Sequence, residues 1–327
     1  MARATMISAL GSAFHMTPPE NPPRVEFSRT KHSLLRQRLN NWVRTAKRVI
    51  VRRIFRQEIS AINSALSIEP FCHVLGAYPE IPFKPVRPYL VAGLRPAERA
   101  AAVIGHYAAA FRLMKTEAFV QSHIASNRLL TLQAAAGEIT VDLTGQQGLY
   151  REAEWRLLVS WDGRAIVEMG LAIVDGHLLR LEGTMGPVLW IGAIKTVAAG
   201  AHGLEDARAL TRNLAGLRPK SLLLLVAQCL AAGLKLSGVF AASNRGHVFA
   251  TDPGLRRRIS ADYDGFWMES GGKRVQPTIF QLPQAKIRRS LGEYKPNKRA
   301  QIRRRHQLEI EIEQSVHEAL LPLLHQH

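Results

Sequence analysis

Asp262 and Asp264 flank Tyr263 in the run Asp262-Tyr263-Asp264-Gly265-Phe266-Trp267. On a strand, two carboxylates at that spacing share a face and could act as an acid/base or metal-ligand pair; in a turn they cap backbone N–H groups or pair with Arg256 to Arg258. Upstream, Ser243-Asn244-Arg245-Gly246-His247-Val248 follows a short apolar run, so Asn244 and His247 sit just past a strand end, where polar side chains project into clefts. Earlier still, Gly216-Leu217-Arg218-Pro219-Lys220 opens a leucine-rich helix. The free N–H groups and dipole of a helix start attract anions, and Arg218 and Lys220 add charge. His106, inside Gly105-His106-Tyr107, is a further acid/base candidate, distant in sequence. Cys-x-x-Cys, His-Glu-x-x-His, Walker and Gly-x-Ser-x-Gly patterns are absent. Ser28-Arg29-Thr30-Lys31 matches Ser-x-x-Lys but lies in a proline-rich lead, and no metal is expected.

The elements that must hold these residues are readable from periodicity. Apolar residues recur at helical spacing over 31–60, 96–115, 117–126, 191–199, 204–214, 219–233 and 307–321. Between 130 and 182, alternating and β-branched segments separated by Asp162-Gly163 and Asp175-Gly176 predict an antiparallel meander of four or five strands. Strands are also expected at 236–242 and 278–282. Pro219 suits a helix entry and Gly233 its exit. The five prolines between Tyr78 and Pro96 predict a linker or a strap across the core. A sheet completed by a helix and a strand is an α+β arrangement, with N-terminal helices around it.

The chain has 327 residues and a net charge of +18. That charge is concentrated in two stretches, 31–60 and 286–306, each carrying nine Lys or Arg against one Glu, so the rest of the chain is nearly neutral. In 31–60 the cations, Arg44, Arg48 and Arg52 among them, lie opposite an apolar face containing Trp42. Such a helix docks on the protein with a solvated face, rests on an anionic membrane, or contacts nucleic-acid phosphates. Arg303, Arg304 and Arg305 offer the same alternatives. Nucleic acid is the least supported, because no known binding module accompanies the charge. Two cysteines, Cys72 and Cys229, fit a reduced compartment, and no run of eighteen apolar residues suggests a spanning helix. Residues 1–30 read as a disordered lead rather than a secretory signal.

From Lys84 to His306 the sequence resembles the VirK/YbjX family of Gram-negative bacteria. The resemblance is carried by Lys84-Pro85-Val86-Arg87-Pro88-Tyr89-Leu90, His106-Tyr107, the Gly-Leu-Arg-Pro-Lys block, Ser-Asn-Arg-x-His-Val, Asp-Tyr-Asp-x-Phe-Trp with Gly271-Gly272, and Lys298-Arg299-Ala300-x-x-Arg303-Arg304-Arg305. Leu181-Glu182-Gly183 departs from the family's Leu-Gln-Gly. The resemblance implies an intracellular, cytoplasmic factor that supports the envelope and the stress or DNA-damage response; the membrane alternative for the basic stretches would make it peripheral on the inner face of the inner membrane. Surface-protein localisation and antimicrobial-peptide tolerance belong to the same expectation, and it names no reaction. Domain expectations are a lead at 1–30, a basic amphipathic helix at 31–60, a VirK/YbjX-like domain at 78–306 and a C-terminal helix at 307–327.

From His177 onward the order of elements is similar to the second half of the GNAT acyltransferase fold, over about 130–282. That likeness implies coenzyme A or an acyl-CoA as donor. Its pyrophosphate would lie at Gly216, Leu217, Arg218 and Lys220, with Asn244 beside the acyl carrier and His247 or Tyr263 in the chemistry. The acceptor would then be an envelope component.

Overall fold

The computed structural model describes residues 52–325 except 135–136, 146–147, 185, 198–199, 258 and 260. The chain divides at Ile50/Val51 into two units, and the first lies outside the described residues. The expected lead and most of the basic helix, with Arg44 and Arg48, fall there.

Eight strands form one sheet in the order β1-β2-β3-β4-β5-β6-β8-β7. The first five, β1 (Ser126–Ala134), β2 (Gly137–Gly145), β3 (Trp155–Trp161), β4 (Arg164–Asp175) and β5 (Pro187–Thr196), are the antiparallel meander. Strand β6 (Val239–Ala242) joins β5 in parallel, and β8 (Ile279–Leu282) and β7 (Lys273–Gln276) close the far edge antiparallel. A parallel neighbour needs a crossover, supplied by helices Gly200–Asn213 and Pro219–Gly233. The second carries Leu222, Leu223, Leu225, Val226 and Leu230, all buried. Helices α1 (Arg56–Leu66), α2 (Phe71–Ala77), α3 (Pro96–Leu113) and α4 (Thr116–Ile124) precede the sheet. The last helix, Pro296–Leu320, begins well before residue 307, because Pro296 at its first turn lets the basic stretch run straight into it. Among the described residues no helix is long and apolar enough to cross a membrane.

Three expectations are corrected. Residues 191–199 read as a helix, but Ile191-Gly192-Ala193-Ile194 is the end of β5, a strand buried on both faces, whose unbroken apolar run imitates a helix face. Residues 177–182 are a turn, with Leu181 N–H bonded to the Gly176 carbonyl and Arg180 at φ 53°. Residues 263–269 form a short helix, preceding the unforeseen strand β7.

Two strand glycines make room for the turn before β3. A Cβ on Gly192 would lie 1.9 Å from the Glu152 carbonyl oxygen, and one on Gly170 would lie 2.8 Å from the Ala153 Cβ. Gly192 is also the extra residue of a β-bulge, since Gly170 faces Ala193 while Leu171 faces Ile191. The bulge reverses the strand's hydrogen-bonding phase. Leu189 N–H points toward β6, at the Gly238 carbonyl, whereas Val197 N–H points the other way, at the Ile166 carbonyl of β4. By two-residue alternation, the Ile194 and Thr196 N–H groups then face away from β4.

These contacts predict opposite outcomes for two glycine-to-alanine substitutions measured by urea denaturation. Gly192→Ala should lose about 2 kcal/mol or more, because backbone must move. Gly105→Ala, in an exposed helical position with nothing within 4 Å of its Cβ, should gain ~0.5–1 kcal/mol.

Candidate functional site

Strand β6 pairs with β5 only through Ile191, after which the two part. The opening holds a cleft of about 490 Å³. One wall is Ala193, Lys195 and Thr196 of β5; the other is His247 and Phe249, from the loop after β6, with Tyr263; the turn Gly148–Glu152 closes one end.

Each wall is fixed by its own hydrogen bonds. Tyr263 opens α8 (Tyr263–Glu269) after α5 (Gly200–Asn213), α6 (Pro219–Gly233) and the one-turn α7 (Pro253–Arg256). Asp262 caps α8 by accepting from Gly265 N–H at 3.0 Å. Asn244 accepts from Tyr263 N–H at 2.9 Å, and Asn244 N–H donates to Asp264 at 2.8 Å. Asp264 also pairs with Arg274 at 2.6 Å, and Trp267 Nε1 donates to the Ala242 carbonyl at 2.8 Å. The two aspartates therefore face different partners and form no acid/base or metal pair. With Asn244 they clamp the start of α8 to the end of β6, which aims Tyr263 into the cleft.

The strap expected near Tyr78–Pro96 ties the walls together. Leu90 N–H bonds the Arg151 carbonyl and Ala92 N–H bonds the Gly246 carbonyl, each at 2.8 Å. Trp190 of β5 donates to the Leu90 carbonyl at 3.2 Å.

Behind the turn lies a buried polar hub. Lys84 Nζ sits 2.7 Å from Glu154 Oε1 and 3.1 Å from the Ala153 carbonyl. Tyr89 OH donates to the same carboxylate oxygen, and Tyr107 OH donates to Oε2 at 2.7 Å. Burial pushes the Lys84 ammonium down while Glu154 pulls it back, and burial pushes both tyrosines well above their usual range. The Lys84 ammonium lies 5.2 Å from the Tyr150 ring centre, and Tyr150 lines the cleft. Alongside, His106 accepts from Ile173 N–H through Nδ1, so its Nε2–H donates to His123 Nε2 at 3.0 Å. His123 Nδ1–H then donates to the Phe119 carbonyl at 2.7 Å. Both rings are neutral: burial holds His106 well below the ordinary histidine value and His123 at about 3.

In the cleft, burial raises the Glu152 carboxyl and Lys195 partly offsets the rise. Lys195 pairs with Glu168 at 3.0 Å and donates to the Gly148 carbonyl. His247 is held near 4 by burial, with Lys195 adding to the drop, and its Nδ1 accepts from Phe249 N–H at 3.2 Å. Its neutral ring therefore presents Nε2–H and acts as a donor, not as a base. Burial pushes Tyr263 up to about 12, and the Ile194 N–H hydrogen-bonds its phenolic oxygen, which opposes the rise.

The structure does not bring Gly216, Leu217, Arg218 and Lys220 to this cleft. Gly216 (φ 89°) faces the Gln301 side chain, Leu217 is buried, and Arg218 pairs with Glu269 at 3.2 Å. Lys220 is half-buried and lowered by that burial. Arg303 and Arg304 are exposed, Arg305 lies 4.0 Å from Glu309, and Arg52 stacks over Phe83. Glu152, Lys195 and Tyr150 went unforeseen; the signal for Lys195 is a lone charge ending an apolar run. Apart from the cleft, Glu69, Cys72 and His73 each place a ligand-type atom within 4.8 Å of the others on α2 and its approach, where His73 already pairs with Glu69 at 3.0 Å.

The pattern of the family described as "Protein of unknown function (DUF535)" matches residues 37–318. The chain is 29% identical over 276 residues to the "Uncharacterized protein YbjX" of Escherichia coli (strain K12), covering 79% of this chain and 81% of that protein. No solved structure matches. The chain belongs to the DUF535 family, consistent with the VirK/YbjX resemblance.

Two measurements test the hub. Lys84→Met leaves Glu154 buried without its cation and should cost about 3–5 kcal/mol in urea denaturation, with Lys84→Met/Glu154→Leu recovering part of it. The histidine pair sets a pH dependence. Unfolded histidines take up protons below about 6.5 while the folded pair does not, so stability should fall with pH from there toward 3. The slope should approach ~1.4 kcal/mol per pH unit for each histidine, and His123→Phe should flatten it.

Proposed function

We propose that this chain is a GNAT-like acyltransferase that takes an acyl-CoA-type thioester as donor and modifies a component of the bacterial envelope. The observation that carries the reading is the parting of β5 from β6, which leaves a cleft at the end of the one parallel pair among the described strands. Past Ile191, the edge of β5 that faced β6 has no strand partner among the described residues, and Thr196 N–H points along it. An extended ligand rich in amides, as a pantetheine arm is, can pair with such an edge as an added strand would. Ala193, Phe249, Leu255 and Ala261 supply apolar walls for an acyl chain.

When bound, the donor would supply an activated carbonyl. Glu152, whose proton affinity is raised by burial, would take the proton from the attacking amine or hydroxyl as the new bond to the carbonyl carbon forms. His247 Nε2–H would donate to the developing oxyanion. Tyr263, protonated at neutral pH, would give its proton to the departing sulfur as the carbon–sulfur bond breaks, and the proton returns from Glu152 through solvent. In this reading the acidic and basic roles fall on Tyr263 and Glu152, with Asn244, Asp262 and Asp264 positioning Tyr263.

The envelope and stress-response part of the proposal rests on the family resemblance. Exposed Arg52, Arg303 and Arg304 support docking on the anionic inner face of the inner membrane.

Differential scanning fluorimetry with acetyl-CoA and longer acyl-CoAs tests the donor. Saturating ligand, at a hundredfold its Kd, should stabilise the protein by about 2.7 kcal/mol. Absence of any shift with every acyl-CoA overturns the reading. With a transferable acceptor in hand, Glu152→Gln and Tyr263→Phe should each lower kcat by ~10²–10³-fold with binding retained. The low-pH limb of activity should lie above the ordinary carboxylate range, reflecting the raised Glu152.

A further inference from the structure

The loop Ser243–Ala261 has two faces. His247, Phe249, Leu255 and Ala261 line the cleft, while Asn244, Arg245, Ala250, Thr251, Arg256 and Ile259 line a separate concavity of about 370 Å³. This second hollow shares lining residues with two others. Arg245 is shared with a neighbouring hollow of about 580 Å³, whose wall includes Arg274, and Arg256 with another of about 480 Å³ bordered by Arg257. The three hollows share these lining residues and together, as a surface trough, present four arginines.

Among the described residues the only carboxylate lining the trough is Asp264, and it is already engaged. Its Oδ1 accepts from Asn244 N–H and its Oδ2 pairs with Arg274. Nearby Asp252 is likewise engaged, accepting from Gly254 and Leu255 N–H. Among the described residues Arg245, Arg256 and Arg257 make no ion pair, and all three are exposed. Like charges gathered in a concavity repel one another until an anion enters, and guanidinium forks match phosphate oxygens in pairs.

We infer that this trough is a phosphate-binding subsite, built by Arg245 and Arg256, for a ligand carrying a diphosphate or clustered phosphomonoesters. It deepens the acyltransferase reading and rests on it for the identity of the rest of the ligand. The same loop would then hold the reacting end of a substrate on one face and its phosphates on the other. The phosphates are those of the donor nucleotide or of a phosphorylated acceptor.

Isothermal titration of the full chain with pyrophosphate, coenzyme A and pantetheine, in wild type and in Arg245→Gln/Arg256→Gln, separates the outcomes. Wild type should bind pyrophosphate, and the double variant should lose about tenfold or more in affinity while pantetheine binding is unchanged. Coenzyme A weakened in parallel assigns the trough to the donor. Coenzyme A unaffected, with pyrophosphate lost, assigns it to a phosphorylated acceptor. Arg245→Lys/Arg256→Lys should bind at an intermediate level, which separates lost charge from lost fold. Pyrophosphate binding equal in wild type and double variant, or absent from wild type, overturns the subsite even if coenzyme A binds. Conversely, arginine-dependent pyrophosphate binding without any response to acyl-CoA keeps the subsite and removes the donor reading.

Discussion

The Glu154 carboxylate is almost wholly buried, and a charge in that position is tolerable only if every lone pair is met. Three donors meet it: Lys84, Tyr89 and Tyr107. The first two belong to the proline-rich strap and the third to α3, so one carboxylate draws together segments that are separate in sequence. Because Lys84 also holds the Ala153 carbonyl, the same interaction pins the turn that carries Tyr150 and Glu152. A pair of well-packed apolar residues could stabilise the chain as much as this ion pair does. What the apolar alternative lacks is direction, since the hydrogen-bonded hub helps dictate where the turn lies, alongside the Leu90–Arg151 backbone bond.

That turn works with the sheet below it. It rests on Gly170 and Gly192, and the bulge at Gly192 flips the phase of β5 so that Ile194 N–H meets the Tyr263 oxygen. Without the one-residue insertion, the N–H groups facing the opening would be those of the neighbouring residues, and Tyr263 would find none at Ile194. The clamp of Asn244, Asp262 and Asp264 then brings α8 to the same place from the other side. Hub, bulge and clamp are three independent devices that converge on one cleft.

This division explains what the sequence could show. The meander, the crossover helix from Pro219 to Gly233 and the strap were legible because each has a local signature: alternation, a proline entry, or proline density. The end of β5 was not, because a strand buried on both faces is as uniformly apolar as a buried helix. Asn244, His247 and Tyr263 were legible as seam residues, but their roles depend on partners. Asp262 and Asp264 differ in what they bind although they are two residues apart, and no spacing rule reveals that. Glu152 and Lys195 were hidden for opposite reasons: Glu152 sits among Arg151, Glu154 and Arg156, a run of mixed charge that reads as solvated, while Lys195 is a lone charge ending an apolar run. The Gly216–Lys220 block shows the opposite error: a helix start beside two cations has the composition of an anion site, but its arginine is spent on Glu269.

The charges are also layered by depth. Deepest are the neutral His106–His123 pair and the satisfied Lys84–Glu154 pair, which have no spare donor or acceptor to offer a ligand. Next comes Glu152, whose carboxyl is raised by burial yet lines the cleft. Outermost are the exposed arginines Arg245, Arg256 and Arg257. Effective dielectric rises along this path, so the same unit of charge goes from fixing structure, to exchanging a proton, to attracting an anion.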